Sequence, residues 1–414
     1  MDLDLSKIKK IFFIGIGGIG ISALAKMALS RGVEVSGVND EEGKTIESLR
    51  ELGVDVKMSK AAFDIPEADL YVYSDAWLYR GPEILQKAKE TGKPVLSYFE
   101  ALGQFIKQYK VIAIAGTHGK TTTTAMVAEI LVDAGLDPTV IVGSFVEKFQ
   151  SNFRKGNSEY LVVEADEYNR HFLNFHPFLT VVTNIEADHL DCYKDLPDIQ
   201  NAFDKLLSQS ENKITDYSKY LNKIPKLSVP GVHNRMDASA AFAVAEFLGI
   251  KEEIIKSSLS LFSGTWRRLE KKGITREGVT IYDDYAHHPT EVRASLEALR
   301  ELYPKGVKNI TVLFQPHLYS RTKALFDEFV TCFDQADNVF LLPIYFAREN
   351  PDPEVSSEKL AEAIRAHRGE AVAFSSFAEA EEWISKMEMG SKDVFVTMGA
   401  GEAYKVAEKV LKLV

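Results

Sequence analysis

Cysteine is scarce in this chain, with only Cys192 and Cys332 among 414 residues. That excludes a disulfide framework and fits a reducing compartment. Positive charge is also short: 49 Lys and Arg face 60 Asp and Glu, a net charge of −11. Without a basic excess the chain cannot neutralise a nucleic-acid backbone, so no nucleic-acid partner is expected. Apolar runs long enough to span a membrane are missing as well. The nearest approach is residues 11–25, preceded by Lys7, Lys9 and Lys10 in the manner of a secretory signal. Glycines at nucleotide-binding spacing interrupt that run, so a cytoplasmic protein with no membrane partner is expected. His287, His288 and Pro289 invite a zinc reading, but no second ligand pair stands at metal spacing. What is present is a globular composition, 45% hydrophobic and 26% charged, on a chain long enough for two to four domains.

The stretch that organises the rest is VIAIAGTHGKTTTTAMVAEIL, residues 111–131. Small and β-branched residues at 111–115 read as a buried strand, a glycine turn follows, and a helix starts near Lys120. Val127, Ile130, Leu131 and Ala134 fall at helical spacing and Gly135 is a plausible stop. Strand, turn and helix together aim backbone N–H groups and a helix's positive end at one point, which suits a phosphate. The usual phosphate-loop expression fails, because Ile114 stands where its first glycine belongs. The chemistry is intact all the same. Gly116 and Gly119 admit oxygen atoms close to the backbone, Lys120 reaches β and γ phosphates, and Thr121 offers Mg²⁺ a hydroxyl. A strand-to-helix turn with a solvated Lys is the alternative, yet four threonines make a poor ordinary helix start.

Taken in order, a strand at 11–14 runs into GIGGIG (Gly15, Gly17, Gly18, Gly20), a helix to about residue 31 and a strand at 33–38. This is a dinucleotide-type βαβ opening, with Asp40 twenty residues beyond Gly20 where an acid would meet a ribose; alone it is equally a packing turn. A strand at 68–74 brings Ser74, Asp75 and Ala76, a helix starts at Pro82, and a short strand covers 94–96. After the organising helix come strands at 139–143, 160–163 and 179–183. The last two end in Glu164, Asp166 and Glu167, and in Asn184, Asp188, His189 and Asp191. In an open α/β sheet ligands sit at the carboxyl ends of strands, so these groups are expected to converge on the phosphate loop. Mg²⁺ prefers oxygen ligands and accepts few from protein, so Thr121 and Glu164 can hold one ion and His189 a second.

Residues 208–222 are polar and show no convincing long element. A helix is expected at 236–248, and FSGTWRRLE, residues 262–270, marks the passage to a third unit. There a strand at 279–282 ends in DDYAHHPTE and one at 309–314 ends in QPHLYSRT, followed by strands at 339–342 and 394–397 and a last helix. Arg267 and Arg268 have the fork to clamp phosphates, or form hinge salt bridges.

GTHGKTT at this depth resembles the Mur ligases of peptidoglycan synthesis, and His118 points to their alanine-adding branch. GIGGIG, EADE with NIEADHLD, and DDYAHHPTE with QPHLYSRT extend the resemblance over nearly the whole chain. It implies a three-domain α/β fold: a Rossmann-like UDP-sugar domain at 1–106, a shortened P-loop ATPase-like domain at 107–261 and a Rossmann-like amino-acid domain at 262–414. It implies ATP and Mg²⁺, with UDP-N-acetylmuramate and L-alanine as partners, in a monomer or homodimer. The lactyl carboxylate would take the γ-phosphate to give an acyl phosphate, which the amine then attacks.

Residue by residue, the resemblance puts Gly15, Gly17, Gly18, Gly20 and Ser74 on the sugar nucleotide. It puts Gly116, Thr117, His118, Gly119, Lys120, Thr121, Thr122, Asn234, Asp237, Arg268 and Asp283 on ATP, with His233 also near the adenine. Thr121, Glu164 and His189 go to magnesium, and Tyr285, His287 and Arg321 to the amino acid; Lys120, Glu164, His189, His287 and Arg321 carry the chemistry. Three departures stand out. Val38 and Asn39 replace a usual Ser-Asp, Asp237 a usual Asn, and Leu318 an Arg found in several relatives. The segment between Asp191 and Gly231 is also shorter than in similar ligases. The alternatives are a tripeptide-accepting murein recycling ligase, an NAD-dependent oxidoreductase using only GIGGIG, and a nucleotide-binding protein without catalysis.

Overall fold

Apolar runs such as KIFFI and KVIAIA are buried at every position after their first residue. A strand buried on both faces belongs to a parallel sheet covered by helices, and three such sheets occur along the chain. The computed structural model describes residues 3–189, 191–346 and 349–413. Packing divides the chain into two compact units: 1–187, 192–224 and 237–259 form the first, and 188–191, 225–236 and 260–414 the second.

The first unit contains two sheets. One has β1 (Lys10–Ile14), β2 (Glu34–Asn39), β3 (Asp55–Met58), β4 (Leu70–Tyr73) and β5 (Val95–Ser97) in the order β3-β2-β1-β4-β5, all parallel. Chain direction across the sheet reverses between β1 and β4, so Gly15 and Ser74 open at a topological switch point, where such folds bind nucleotides.

The other sheet has β6 (Lys110–Ala115), β7 (Thr139–Val146), β8 (Ser151–Arg154), β9 (Tyr160–Glu164), β10 (Leu179–Val182) and β11 (Asn212–Ile214) in the order β11-β10-β6-β9-β7-β8. Only β8 runs antiparallel. Because β6 lies between β9 and β10, the loop after it is flanked by the polar ends of both. A shared apolar cluster including Phe13, Leu24, Phe105, Val163, Phe172 and Phe203 unites the two layers.

The third sheet, in the second unit, has β12 (Glu270–Ile274), β13 (Thr280–Asp284), β14 (Asn309–Phe314), β15 (Asn338–Leu341), β16 (Ala371–Ala373) and β17 (Asp393–Met398). Their order is β12-β13-β17-β14-β15-β16, with β12 antiparallel. Separate apolar clusters cover its two faces, one around Phe314 and Phe333, the other around Phe340 and Phe395. Each buried Phe contributes roughly 1.5–3 kcal/mol, which is why its central strands read as unbroken apolar runs.

Two elements differ from the sequence reading. The helix expected from residue 236 starts four residues earlier and spans Val232–Phe247, directly after Gly231 at φ 102°. A helix that the reading did not single out covers Leu196–Ser208, capped by the Asp195 carboxylate accepting the Asp198 N–H.

Candidate active site

The loop between β6 and the helix Lys120–Asp133 is stapled to the end of β10. Asn184 accepts the His118 N–H at 2.9 Å and donates to the His118 carbonyl at 3.1 Å, and its own carbonyl accepts the Thr117 N–H at 3.0 Å. Thr183 donates to the His118 carbonyl at 2.5 Å. Gly116 (φ 140°) and Gly119 (φ 80°) have no room for a Cβ: Thr183 crowds the first and the Asp237 carboxylate the second. The four threonines, 121 to 124, are all buried because the helix is covered on every side, and Thr124 donates to the Lys120 carbonyl at 2.7 Å.

Lys120 donates to the Gly116 carbonyl (2.6 Å), the Thr117 carbonyl (3.0 Å) and Glu167 (2.8 Å). Burial alone would lower its pKa, but the carboxylates of Glu167, Asp166 and Glu164 outweigh that and hold it above the ordinary value. Thr121 Oγ1 lies 3.0 Å from both Glu164 oxygens, and Glu164 Oε2 accepts the Gly143 N–H at 2.8 Å. A hydroxyl and a carboxylate held this close form the hard oxygen pair that Mg²⁺ takes from a protein. His189, the third expected ligand, falls in the other unit, where its φ is 56° and its N–H bonds Asp188. Beyond Glu167 the chain passes through Asn169 (φ 48°) and Arg170 (φ 59°). Two consecutive non-glycine residues in the left-handed region cost of order ~1 kcal/mol or more each and need anchors.

At the first sheet a cavity of ≈ 240 Å³ is lined by Gly15, Gly17, Gly18, Ser74, Trp77 and Arg80 among others. Gly15 (φ 80°) lies against the Trp77 ring and Gly20 against Tyr98, leaving neither room for a side chain. Asn39, one of the departures, accepts the Gly17 N–H at 3.1 Å and donates to the Glu41 carbonyl at 2.7 Å, so it braces the glycine turn. Asp40 is paired with Arg80 at 3.2 Å.

The second unit gathers its polar residues at the ends of β13, β14 and β17. Arg321 donates two N–H groups to Asp188 Oδ1, at 3.0 and 3.2 Å, and its Nη1 lies 3.2 Å from His317 Nδ1. Burial would raise the Asp188 carboxyl, yet Arg321, with His189, His287 and His288, holds it well below the usual carboxylate range. His287 is only partly exposed, and desolvation pushes it down to about 4, with Glu291 opposing. Its N–H bonds Glu291 at 2.9 Å, and His288 and Glu291 form the capping box of the helix Pro289–Leu302. Arg268 lies over the Tyr285 ring at 5.1 Å. Arg267 is used internally: it bonds Asp283 (2.8 Å) and the carbonyls of Gly399 (2.6 Å) and Gly401 (3.1 Å). Asp283 is fully buried between Arg267 and Thr397. Asn234 donates to the Pro230 carbonyl at 2.6 Å.

The sequence places Asn184 beside the phosphate loop, and its bonds to Thr117 and His118 put it there. Thr183, the residue before it, and the pairing of Asp188 with Arg321 are not singled out by the sequence, although Thr183 directly follows β10 and is a strand-end polar residue of the same kind. The Asp188 pairing depends on an approach between segments 133 residues apart.

Comparison with known proteins covers the whole chain. Residues 10–110 match the profile described as Mur ligase family, catalytic domain, residues 114–226 the Mur ligase middle domain, and residues 267–401 the Mur ligase glutamate ligase domain. The UDP-N-acetylmuramate–L-alanine ligase of Clostridium perfringens is 37% identical over 463 aligned residues, covering 100% of both chains. That of Lachnospira eligens is 40% identical over 462, covering 99% of each. Both alignments are longer than the 414 residues here, so those relatives carry residues without a counterpart in this chain. Among solved structures, the UDP-N-acetylmuramate–alanine ligase of Thermotoga maritima superposes with a TM-score of 0.82 at 28% identity, over 98% of each chain.

Proposed function

This chain belongs to the Mur ligase family, and from that footing we propose that it joins L-alanine to the lactyl carboxylate of UDP-N-acetylmuramate with hydrolysis of ATP to ADP and phosphate. The observation that carries the reading is end-to-end similarity to alanine-adding ligases together with a phosphate loop whose Lys120 and Thr121 are already held at its mouth.

In this reading a lactyl carboxylate oxygen attacks the γ-phosphorus, the bond to the β,γ-bridging oxygen breaks, and ADP leaves. The alanine amine then attacks the acyl carbon, and the tetrahedral intermediate collapses to amide and phosphate. Two anions must meet in the first step, so the positive charge of Lys120 and the N–H groups of its loop offset their repulsion. Thr121 and Glu164 are the residues that would hold Mg²⁺; when bound, the ion spreads the triphosphate's charge. Gly15, Gly17, Gly18 and Ser74 bound the pocket assigned to the sugar nucleotide, and Arg321 with His287 and Tyr285 is assigned to the amino acid. The domain boundaries 1–106, 107–261 and 262–414 follow the three sheets in this proposal.

ADP release with UDP-N-acetylmuramate across a panel of amino acids and the L-alanyl-γ-D-glutamyl tripeptide tests it. Release with L-alanine is expected. Release with the tripeptide alone would reassign the chain to murein recycling, and none with any amine would leave it a nucleotide-binding protein.

A further inference from the structure

The clearest polar contact that the proposed reaction leaves unused lies between the first two sheets, inside one compact unit. Asp75 follows β4 between Ser74 and Ala76, both of which line the sugar-nucleotide cavity. Its Oδ2 lies 2.8 Å from His171 Nε2. The His171 ring is stacked on Phe99 with centroids 3.9 Å apart and planes 15° from parallel, and Tyr168 meets it edge-on at 5.7 Å. The residue is 8% exposed, and among the described residues its buried Nδ1 has no hydrogen-bond partner, which leaves Asp75 as the polar anchor of the ring there.

His171 also ends the strained turn. Asn169 and Arg170 hold left-handed backbone between it and Glu167, the carboxylate that grips Lys120. A turn of that kind persists only where its surroundings fix it. Here the fixtures are Arg170 on Asp198 at 2.7 and 2.8 Å, the Asn169 N–H on Cys192 Sγ at 3.3 Å, and His171 between Asp75 and Phe99. A continuous path therefore runs from the wall of the sugar-nucleotide cavity, through Asp75 and His171, to Glu167 and Lys120.

We propose that Asp75 and His171 are a positioning pair that sets the Glu167–Lys120 contact, so that the wall of one substrate's pocket registers the phosphate loop of the other. The assignment rests on the ligase reading for the identity of those two substrates. Releasing His171 lets residues 169 and 170 relax toward ordinary φ values, and Glu167 moves with them.

The test is calorimetry of the non-hydrolysable ATP analogue AMP-PNP with Mg²⁺, and separately of UDP, on full-length protein. His171→Phe keeps the stacking face but loses the hydrogen bond. It should weaken AMP-PNP about 10-fold, as should Asp75→Ala, which removes the acceptor, while UDP binding moves by no more than about twofold. The double variant should be no weaker than either single, because both remove one contact. His171→Gln, which retains a donor nitrogen, should recover most of the loss. Additive losses, an unchanged AMP-PNP affinity, or equal losses for both ligands alongside a lower melting temperature would overturn the proposal. Should His171→Phe fail to fold, Asp75→Ala, at a partly exposed position, carries the measurement. Wild-type turnover is scored independently: a wild type that binds AMP-PNP but releases no ADP contradicts the ligase reading and leaves the pair's assignment to be judged by binding.

Discussion

Lys120 and Arg321 invite comparison, since each is a cation near a strand end, the first largely and the second almost fully withdrawn from solvent, and each already holds a carboxylate. Lys120 shares its charge among two backbone carbonyls and Glu167, on a stem of four single bonds. Arg321 is tied through two nitrogens to one oxygen of Asp188 and is braced by His317. The lysine can leave its partners one at a time and follow a phosphate; the guanidinium offers a fixed direction. An anion arriving at Arg321 must take an N–H that Asp188 does not use, or displace a carboxylate held strongly ionised. The loop is therefore built for a charge that moves and the second unit for one that stays.

The sharpest way to break this comparison is Lys120→Ala, which should abolish turnover while calorimetry finds UDP-N-acetylmuramate binding nearly unchanged. Loss of both would mean that the lysine also supports the sugar-nucleotide pocket. Next in size is Arg321→Ala. A charge-assisted hydrogen bond is worth roughly 1.5–3 kcal/mol, so the KM for alanine should rise about 10- to 100-fold while those for ATP and UDP-N-acetylmuramate move little. Removing Arg321 also strands Asp188, at a cost of about 3–5 kcal/mol of stability that thermal unfolding would register. Arg321→Lys keeps the charge, loses the fork and should rescue only in part; a full rescue would show that direction is not what this site supplies.

Smaller effects are expected from Glu164→Gln and His189→Ala. Each should lower activity in a manner that excess Mg²⁺ partly restores, and a magnesium titration separates the two. Because His189 lies in the other unit beside Asp188, a defect indifferent to magnesium there would make it a support for that carboxylate. Smallest is the pH effect of His287. Its folded pKa of about 4 lies below the unfolded value of about 6.5, so between these limits the unfolded chain binds more protons. Stability from this group is full above the upper limit and falls as pH drops through the window. His287→Gln should flatten that slope in urea melts, though not abolish it, since burial also pushes His233 down to about 4.

Much of this was legible in the residues. GIGGIG and GTHGKTT announce their turns because only glycine tolerates what packs against them, Trp77 and Tyr98 in one case and Thr183 and Asp237 in the other. The helix Leu196–Ser208 was equally legible yet passed over: Asp195 caps it, Pro197 stands in its first turn, and Ile199, Ala202, Phe203 and Leu206 are buried at helical spacing. Other features were not readable from local pattern. Arg267 looked like a phosphate clamp, but its fork is filled by Asp283 and two carbonyls from residues more than 130 positions away. Asp237, expected at adenine, packs against Gly119, and only the closure of the fold brings the two together.

The way the sheets end bears on how the chain behaves in a crowded solution. Every outer strand is short: β3 and β5, β11 and β8, and β12 and β16 have between three and five residues, and two of the six run against their neighbours. An exposed strand is a template on which another polypeptide can zip up, and the length of the template limits how far the zipper runs. Among the described residues no rim strand offers more than five residues. The long, strongly apolar strands that would make the stickiest templates, KVIAIA and DVFVTM, are kept at interior positions of their sheets. The folded molecule thus presents at its sheet rims the segments least able to recruit a second chain.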